Sequence, residues 1–130
     1  MQIQHEWPPN IEEIKKKFDL LGLNPVFTYG AILYNPLGLP ISDDLMVHEQ
    51  VHGKQQSQMG PDNWWKLYLE DKKFRLEQET EAYRAQAKFA DENYNRKSRK
   101  IIAKELVRHL SSKLYGNLIT KKEAKQLIYE

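Results

Sequence analysis

The sequence contains no cysteine among its 130 residues. This absence excludes a disulfide framework, a thiolate metal site and a cysteine nucleophile, and it is compatible with a reducing compartment. The chain also lacks a large excess of one charge, because the formal net charge is only +2 and both signs are mixed along most of its length. A dedicated nucleic-acid-binding protein usually has a stronger basic excess, so the charge balance argues against nucleic acid as the partner.

Long apolar segments are absent as well. No window approaches the roughly 20 apolar residues that a membrane-spanning helix needs, and the N-terminus lacks the basic region and apolar stretch of a signal peptide. We therefore expect a soluble, cytoplasmic protein with no membrane partner, folded as one domain over residues 1–130. The run Arg96-Lys97-Ser98-Arg99-Lys100 is a local exception to the mixed charge. We interpret it as a solvated helix start, with a contact for a phosphate or an acidic partner as the alternative.

The distribution of apolar residues, caps and helix breakers predicts a mostly helical, α+β fold. After an extended lead-in of nine residues, a first helix is expected to start at Asn10, with Glu13 completing a capping box, and to stop at Gly22. Residues 25–35 are rich in β-branched and aromatic side chains, which predicts one or two strands, as a hairpin or a bulged edge strand. Residues 35–40 contain two prolines and a glycine, which predicts a loop.

Further helices are expected after this loop. They run from the Ser42 cap to about Met59, from about Asp62 through Leu69, from about Lys73 to Asn93, from Ser98 to Leu110 or Leu114, and from a Thr120–Glu123 capping box onwards. The dipeptides Gly60-Pro61 and Gly116-Asn117 are expected to break the helical pattern. Residues 25–93 form the predicted core of the domain, and residues 98–130 form its C-terminal helices.

The segment His48-Glu49-Gln50-Val51-His52 matches the pattern HExxH inside the helix that follows Ser42. Residues four apart on a helix share one face, so His48 and His52 can direct two imidazoles at one point, as a zinc ion requires. The carboxylate of Glu49 can then take a proton from a zinc-bound water and deliver it to the leaving group. The alternative interpretation is a surface helix that carries two histidines by coincidence.

A catalytic zinc ion usually has three protein ligands and one open position. The other two histidines are His5, in the lead-in, and His109, for which a structural role is the default expectation. A third histidine at the spacing HExxHxxGxxH is excluded, because positions 55 and 58 are both glutamine. We therefore expect a carboxylate from a later helix. Residues 76–83 are the best source, and they contain Glu77, Glu79 and Glu81.

This combination resembles the gluzincin group of metallopeptidases, in which a downstream helix carries Glu-x-x-x-Asp or a close relative. The resemblance rests on HExxH and on Glu79-Thr80-Glu81-Ala82-Tyr83. It implies a zincin-like domain with Glu79 as the third zinc ligand, Glu81 being the second choice and Glu77 the third. Tyr83 stands where the family often has an aspartate that supports a zinc-bound histidine. A tyrosine there can hydrogen-bond to a ligand or stabilise the oxyanion through its hydroxyl.

The resemblance covers residues 25–90 and extends to short phage- and prophage-type HExxH proteins, which look like gluzincins reduced to a minimal core. The last forty residues match no chemistry.

Other polar and aromatic residues near the motif have two interpretations each. We expect a core of aromatic residues, one of which could instead line the substrate: Trp64, Trp65, Tyr68 and Phe74. We expect Tyr29 and Tyr34 to pack in the interior or to supply a phenol to the oxyanion. The glutamines of the HExxH helix are expected to face solvent or to support the site by hydrogen bonds, and they are Gln55, Gln56 and Gln58.

These observations predict a zinc-dependent metallopeptidase that acts on a peptide or protein substrate, with Zn2+ as its cofactor. His48, His52 and Glu79 would bind the metal, and Glu49 and Tyr83 would be the catalytic residues. The strand element before the HExxH helix would hold an extended substrate by main-chain hydrogen bonds. Two alternatives stay open: a catalytically weak or inactive zinc protein with a structural or host-interaction role, and a zinc amidase that acts on cell-wall peptides. The oligomeric state is not determined by the sequence.

Overall fold

The computed structural model describes residues 1–112 and 118–130. In this part of the chain the elements follow the order β1 (Gln2–Gln4), α1 (Ile11–Lys17), β2 (Phe27–Tyr29), β3 (Ile32–Tyr34), α2 (Asp43–Met59), α3 (Pro61–Glu70), α4 (Lys72–Asn93), α5 (Arg96–Leu110) and α6 (Lys121–Tyr129). A small three-stranded sheet thus accompanies a mostly helical chain. This architecture confirms the predicted mostly-α, α+β fold class.

The sheet has the strand order β1-β3-β2. β2 and β3 form an antiparallel hairpin in which Tyr29 pairs with Ile32, and Gly30 adopts a positive φ of 63° in the two-residue connection. This result confirms the hairpin alternative for residues 25–35. β1 pairs in parallel with β3, whereas the sequence predicted only an extended lead-in. Three residues with largely exposed side chains are too few to show the alternating pattern of a strand.

The first helix begins at Ile11, directly after the predicted cap residue Asn10, but its capping box and its end differ from the prediction. The side chain of Asn10 makes no capping hydrogen bond, so the expected capping box does not form. α1 ends at Lys17, before Gly22, and Leu21 is 90% exposed. The physical reason lies in Asp19, whose carboxylate accepts a hydrogen bond from the backbone N–H of Leu21. Such a local side-chain bond competes with the helical hydrogen-bond pattern and favours a turn.

The later helices agree closely with the predicted ranges. α2 ends at Met59 and is followed by the C-cap residue Gly60, which has a φ of 87°, and Pro61 is the first residue of α3. α5 begins at Arg96, two residues earlier than predicted, because Asn95 caps it by accepting from the N–H of Ser98. The Thr120–Glu123 capping box of α6 is confirmed. The predicted end at Leu114 and the predicted break at Gly116-Asn117 lie outside the described residues.

The described residues form two separate hydrophobic clusters. The first joins α1, the sheet and α3, and its buried members are Ile14, Phe27, Tyr34, Trp64, Trp65, Tyr68 and Leu69. The second joins α4, α5 and α6, and its buried members are Tyr83, Ala87, Leu106, Leu110, Ala124 and Ile128. Tyr29 and Phe74 pack against the first cluster, so the expected aromatic core is confirmed.

Helices α2 and α4 bury an unusual number of polar side chains. The buried polar residues of α2 are Asp44, His48, Glu49, His52, Gln55 and Gln56, and those of α4 are Arg75, Glu79 and Gln86. Burying such groups is costly unless they are hydrogen-bonded, and a concentration of them marks a functional site. Across the described helices, none combines the length and the apolar character needed to cross a membrane.

Candidate metal centre

Helix α2 holds the two histidines of the HExxH motif one turn apart on its buried face. The ring centroids of His48 and His52 are 4.8 Å apart, and their Nε2 atoms are separated by 3.1 Å. Glu79, which projects from α4, places Oε1 at 3.1 Å from Nε2 of His48 and at 2.8 Å from Nε2 of His52. All three side chains are buried, and their donor atoms lie within 4.8 Å of one another. The group can therefore hold a metal ion.

The chemistry of these donors fits zinc. Two imidazole nitrogens and one carboxylate oxygen form a known ligand set of catalytic zinc, which keeps one further position open. Donor atoms bonded at about 2.0–2.1 Å to a tetrahedral ion are roughly 3.3 Å apart. The distances between the Nε2 atoms of His48 and His52 and Oε1 of Glu79, 2.8–3.1 Å, are close to that spacing.

Glu79 meets the histidines, and the two other candidate glutamates do not. Oε1 of Glu81 accepts a hydrogen bond of 3.1 Å from the amide of Gln55, away from the histidine Nε2 atoms. Glu77 is exposed on α4. The structure therefore brings together the first-choice ligand set of the sequence prediction. Neighbouring candidates are two residues apart, which separates them by about 200° around the helix.

Glu49 lies beside the three donors without joining them. Its Oε2 is 3.7 Å from Nε2 of His48. The hydroxyl of Thr28, on β2, lies 3.0 Å from Oε1 and 3.2 Å from the backbone oxygen of Glu49. Since Thr28 engages one carboxylate oxygen, the other is directed toward the metal-binding group. This is the placement that a general base needs.

The edge of the sheet is attached to α2 by one glutamine. Gln56 donates to the backbone oxygen of Thr28 at 2.8 Å and accepts from the N–H of Gly30 at 2.7 Å. The indole of Trp65 donates to the same Thr28 oxygen at 3.0 Å. The prediction that these glutamines support the site is therefore confirmed for Gln56 and also for Gln55, whose Oε1 lies 2.9 Å from Nδ1 of His52, whereas Gln58 is exposed.

Tyr83 contacts the metal-binding group through its ring. The ring packs edge-on against the imidazole of His48, with centroids 4.4 Å apart. The hydrogen-bonding position at Nδ1 of His48 is taken by Gln86, whose Oε1 lies at 3.0 Å. Sequence reasoning missed Gln86. The sequence feature that could have identified Gln86 is its position two helical turns after Glu79, on the same face of an alanine-rich segment of α4.

The ligand Glu79 is itself held by Tyr68, a second residue whose role the sequence did not reveal. The phenol of Tyr68 donates to Oε2 of Glu79 at 2.5 Å. Burial, and then the neighbouring Glu79 carboxylate, raise the pKa of Tyr68 well above its usual value, so the phenol stays protonated and acts as a donor. Trp64 packs against the ring of His52 at 5.2 Å. The predicted aromatic core thus also forms part of the metal-binding site.

Charge coupling between Glu79 and His52 shifts both pKa values. Burial by itself lowers the pKa of His52, but the Glu79 carboxylate outweighs it and raises the pKa from 6.5 to about 9. Burial likewise opposes ionisation of Glu79, but His52 and His48 hold its pKa well below 4.5. The His52 contribution to metal-free stability is complete below pH 6.5 and lost as the pH rises through about 9. The Glu79 contribution is complete above pH 4.5 and lost at lower pH.

Metal binding must displace the proton of His52, so zinc affinity should depend on pH. We expect the apparent dissociation constant for zinc to rise about tenfold for each pH unit below about 9, because one proton competes with the metal. Competition with a chelator at pH 7, 8 and 9 measures this slope. Calorimetry in two buffers of different ionisation enthalpy should count about one proton released at pH 7. An affinity that is constant between pH 7 and 8.5, after correction for the chelator, would contradict the assigned coupling.

An open cavity of about 810 Å³ adjoins the metal-binding group. His48, Glu49, His52 and Glu79 are among the residues that line it. Further lining residues come from the segment between Ile14 and Thr28 and from a face of α5 that includes Ile101, Glu105 and His109. These α5 residues are spaced four apart, so they share one side of the helix. His109, which the sequence assigned a structural role by default, therefore borders the cavity.

Comparisons of this chain with protein-family models, with curated proteins and with solved structures find no match. The features that indicate a function are therefore those of the site itself: the donor set, the position of Glu49 and the cavity beside them.

Proposed function

We propose that the protein is a zinc-dependent metallopeptidase in which His48, His52 and Glu79 bind the ion and Glu49 is the general base. The observation that carries the proposal is the position of the Glu49 carboxylate, 3.7 Å from the metal-binding nitrogen of His48 and held there by Thr28. When bound, zinc supplies Lewis acidity to a substrate carbonyl and lowers the pKa of a water molecule toward 7.

The remaining chemistry belongs to the side chains of the chain itself. Glu49 accepts the proton of the attacking water on Oε2 and passes it to the nitrogen of the leaving amine. The Thr28 hydroxyl keeps the carboxylate in place through Oε1. Tyr68 holds Glu79 through Oε2, so that Oε1 faces the two histidines. Tyr83 lines the cavity beside His48 and remains the candidate for contact with the developing oxyanion.

The cavity walls favour an apolar peptide segment as the substrate. Phe18, Leu23 and Val26 line the cavity from the segment before α2, and Ile101 and Leu106 line it from α5. An apolar lining favours a ligand with large apolar side chains, so an ordinary peptide or protein substrate is preferred to the amidase alternative.

The outer edge of β2 is partly occupied, which limits where a substrate can pair. Gln56 and Trp65 already engage the backbone oxygen of Thr28, and Gln56 also engages the N–H of Gly30. Main-chain pairing with a substrate is therefore assigned to residues 24–27, which precede Thr28 and line the cavity.

A panel of peptides tests the proposed activity. We expect the zinc-loaded protein to cut peptides beside large apolar residues, as detected by mass spectrometry, and we expect a chelator to abolish cleavage and added zinc to restore it. Cell-wall peptides are the control panel and should stay intact. Cleavage of the cell-wall peptides alone would favour the amidase. Stoichiometric zinc binding without cleavage of any peptide would contradict the peptidase and favour a structural zinc protein.

A further inference from the structure

Both histidines of the metal centre are supported in the same way. Nδ1 of His48 lies 3.0 Å from Oε1 of Gln86, and Nε2 of Gln86 donates to Oδ2 of Asp44 at 2.7 Å. Nδ1 of His52 lies 2.9 Å from Oε1 of Gln55, and Nε2 of Gln55 donates to Oε1 of Glu81 at 3.1 Å. We refer to these two chains of contacts as the His48 relay and the His52 relay.

The carboxylate at the end of each relay is sufficient to set the direction of every hydrogen bond in it. An ionised carboxylate only accepts hydrogen bonds, so the amide must present its NH2 group to it. The amide oxygen then faces Nδ1, and because that oxygen also only accepts, Nδ1 must carry the proton. In a neutral imidazole the lone pair is then on Nε2, which is the atom that faces Glu79 in both histidines.

We propose that Asp44 is a positioning residue of the metal centre, which acts through Gln86 to hold His48 in the tautomer that binds metal through Nε2. This inference rests on the metal-binding part of the proposed function and is independent of hydrolysis. Asp44 is buried, and both of its carboxylate oxygens accept hydrogen bonds, Oδ2 from Gln86 and Oδ1 from the Tyr94 hydroxyl at 3.1 Å. Two accepting oxygens are what an ionised carboxylate provides.

The two relays differ in how strongly they depend on their carboxylates. The amide of Gln55 donates to Glu81 and also to the backbone oxygen of Gln78, at 3.1 Å. A backbone carbonyl only accepts, so it fixes the Gln55 amide even without Glu81. Asp44 is the acceptor that the described residues provide for the Gln86 amide. The His48 relay should therefore fail when its carboxylate is removed, and the His52 relay should not.

The exchange Asp44→Asn tests this asymmetry, with Glu81→Gln as the matched control. With Asp44→Asn the two facing amides can pair in either orientation, so Gln86 no longer specifies the tautomer of His48. We expect zinc affinity, measured by chelator competition, to fall about 10- to 100-fold, the range found for lost support of a metal ligand. For Glu81→Gln we expect a change of less than about threefold, because the Gln78 carbonyl remains.

The paired exchange Asp44→Asn with Gln86→Glu separates positioning from a merely structural role. It moves the accept-only group next to Nδ1 of His48, where it accepts from the imidazole and from the new asparagine amide. We expect zinc affinity to recover to within about fivefold of the wild type, which would not follow if Asp44 served only to fix Tyr94 or the start of α2.

Nitrogen-15 spectra of the histidines in the metal-free protein give a readout that needs neither zinc nor activity. The wild type and Glu81→Gln should show His48 protonated on Nδ1, and Asp44→Asn should show a mixture. Unchanged affinity and an unchanged His48 signal in Asp44→Asn would overturn the proposal, as would equal losses in both single variants or no recovery in the paired exchange. If the wild type binds no zinc, the proposed function fails, while the metal-free spectra still decide whether Asp44 sets the tautomer.

Discussion

In the protein carrying Glu79→Ala, we expect zinc affinity to fall more than about 100-fold, beyond the 10- to 100-fold cost of losing a supporting hydrogen bond. The carboxylate is one of only three donors in the group, and its Oε1 faces both histidine Nε2 atoms at 3.1 and 2.8 Å. Two imidazoles four residues apart do not complete the three-ligand set of a catalytic zinc ion. Metal content after gel filtration and a chelator competition would measure the loss.

Matched variants on the same helix make this result specific. Glu81→Ala and Glu77→Ala remove carboxylates two residues to either side and should leave zinc stoichiometry unchanged. Removing Glu79 also leaves the buried Tyr68 hydroxyl without its acceptor, which costs about 1–3 kcal/mol of stability. Glu79→Gln keeps an acceptor for Tyr68 and should unfold nearer the wild-type temperature while still binding zinc weakly. Zinc loss in Glu81→Ala with retention in Glu79→Ala would reverse the ligand assignment.

The features that sequence reasoning predicted correctly depend on local signals. α2 was predictable because two aspartates follow Ser42 at its start, Gly60-Pro61 ends it, and the residues between the histidines include no helix breaker. The histidine pair then follows from helix geometry alone. The choice of Glu79 needed the resemblance to gluzincins, because three glutamates in five residues offer no periodic signal that distinguishes one of them.

The features that the sequence did not reveal depend on how distant segments pack. Gln86 contacts His48, which lies 38 positions earlier in the sequence, and Asp44, which lies 42 positions earlier. Tyr68 reads as an aromatic core residue, and its bond to Glu79 depends on the way α3 packs against α4. β1 is a short strand whose partner lies 30 positions later in the chain. Such contacts are set by tertiary structure, and the periodicity and capping patterns of a sequence carry no information about them.

The polar interior between α2 and α4 links the fold to the proposed chemistry. A helix that buries His48, Glu49, His52, Gln55 and Gln56 gives up apolar burial on that face. Stability is supplied instead by the aromatic cluster and by the α4–α6 cluster. The polar residues are hydrogen-bonded to one another, which limits the cost of burying them. Such a local departure from an apolar core is expected at functional sites.

For Glu49→Gln, we expect peptide hydrolysis to fall about 10²- to 10⁴-fold, the usual contribution of a general base. Glutamine keeps the size of the side chain and an oxygen that can accept from the Thr28 hydroxyl, so the local structure should be preserved. It cannot take the proton of the attacking water at neutral pH. The loss should appear in kcat, with KM changed little, because the group acts in the transition state rather than in substrate binding.

Zinc content decides whether such a loss is catalytic, since Glu49 lies beside the metal-binding group rather than in it. The Glu49→Gln protein should bind zinc with wild-type stoichiometry, and Gln50→Ala, an exposed neighbour on α2, should keep full activity. Thr28→Val should give a smaller loss, because it releases the carboxylate without removing it. Full retention of hydrolysis by Glu49→Gln in zinc-loaded protein would exclude Glu49 as the base and would redirect the assignment to another group that lines the cavity.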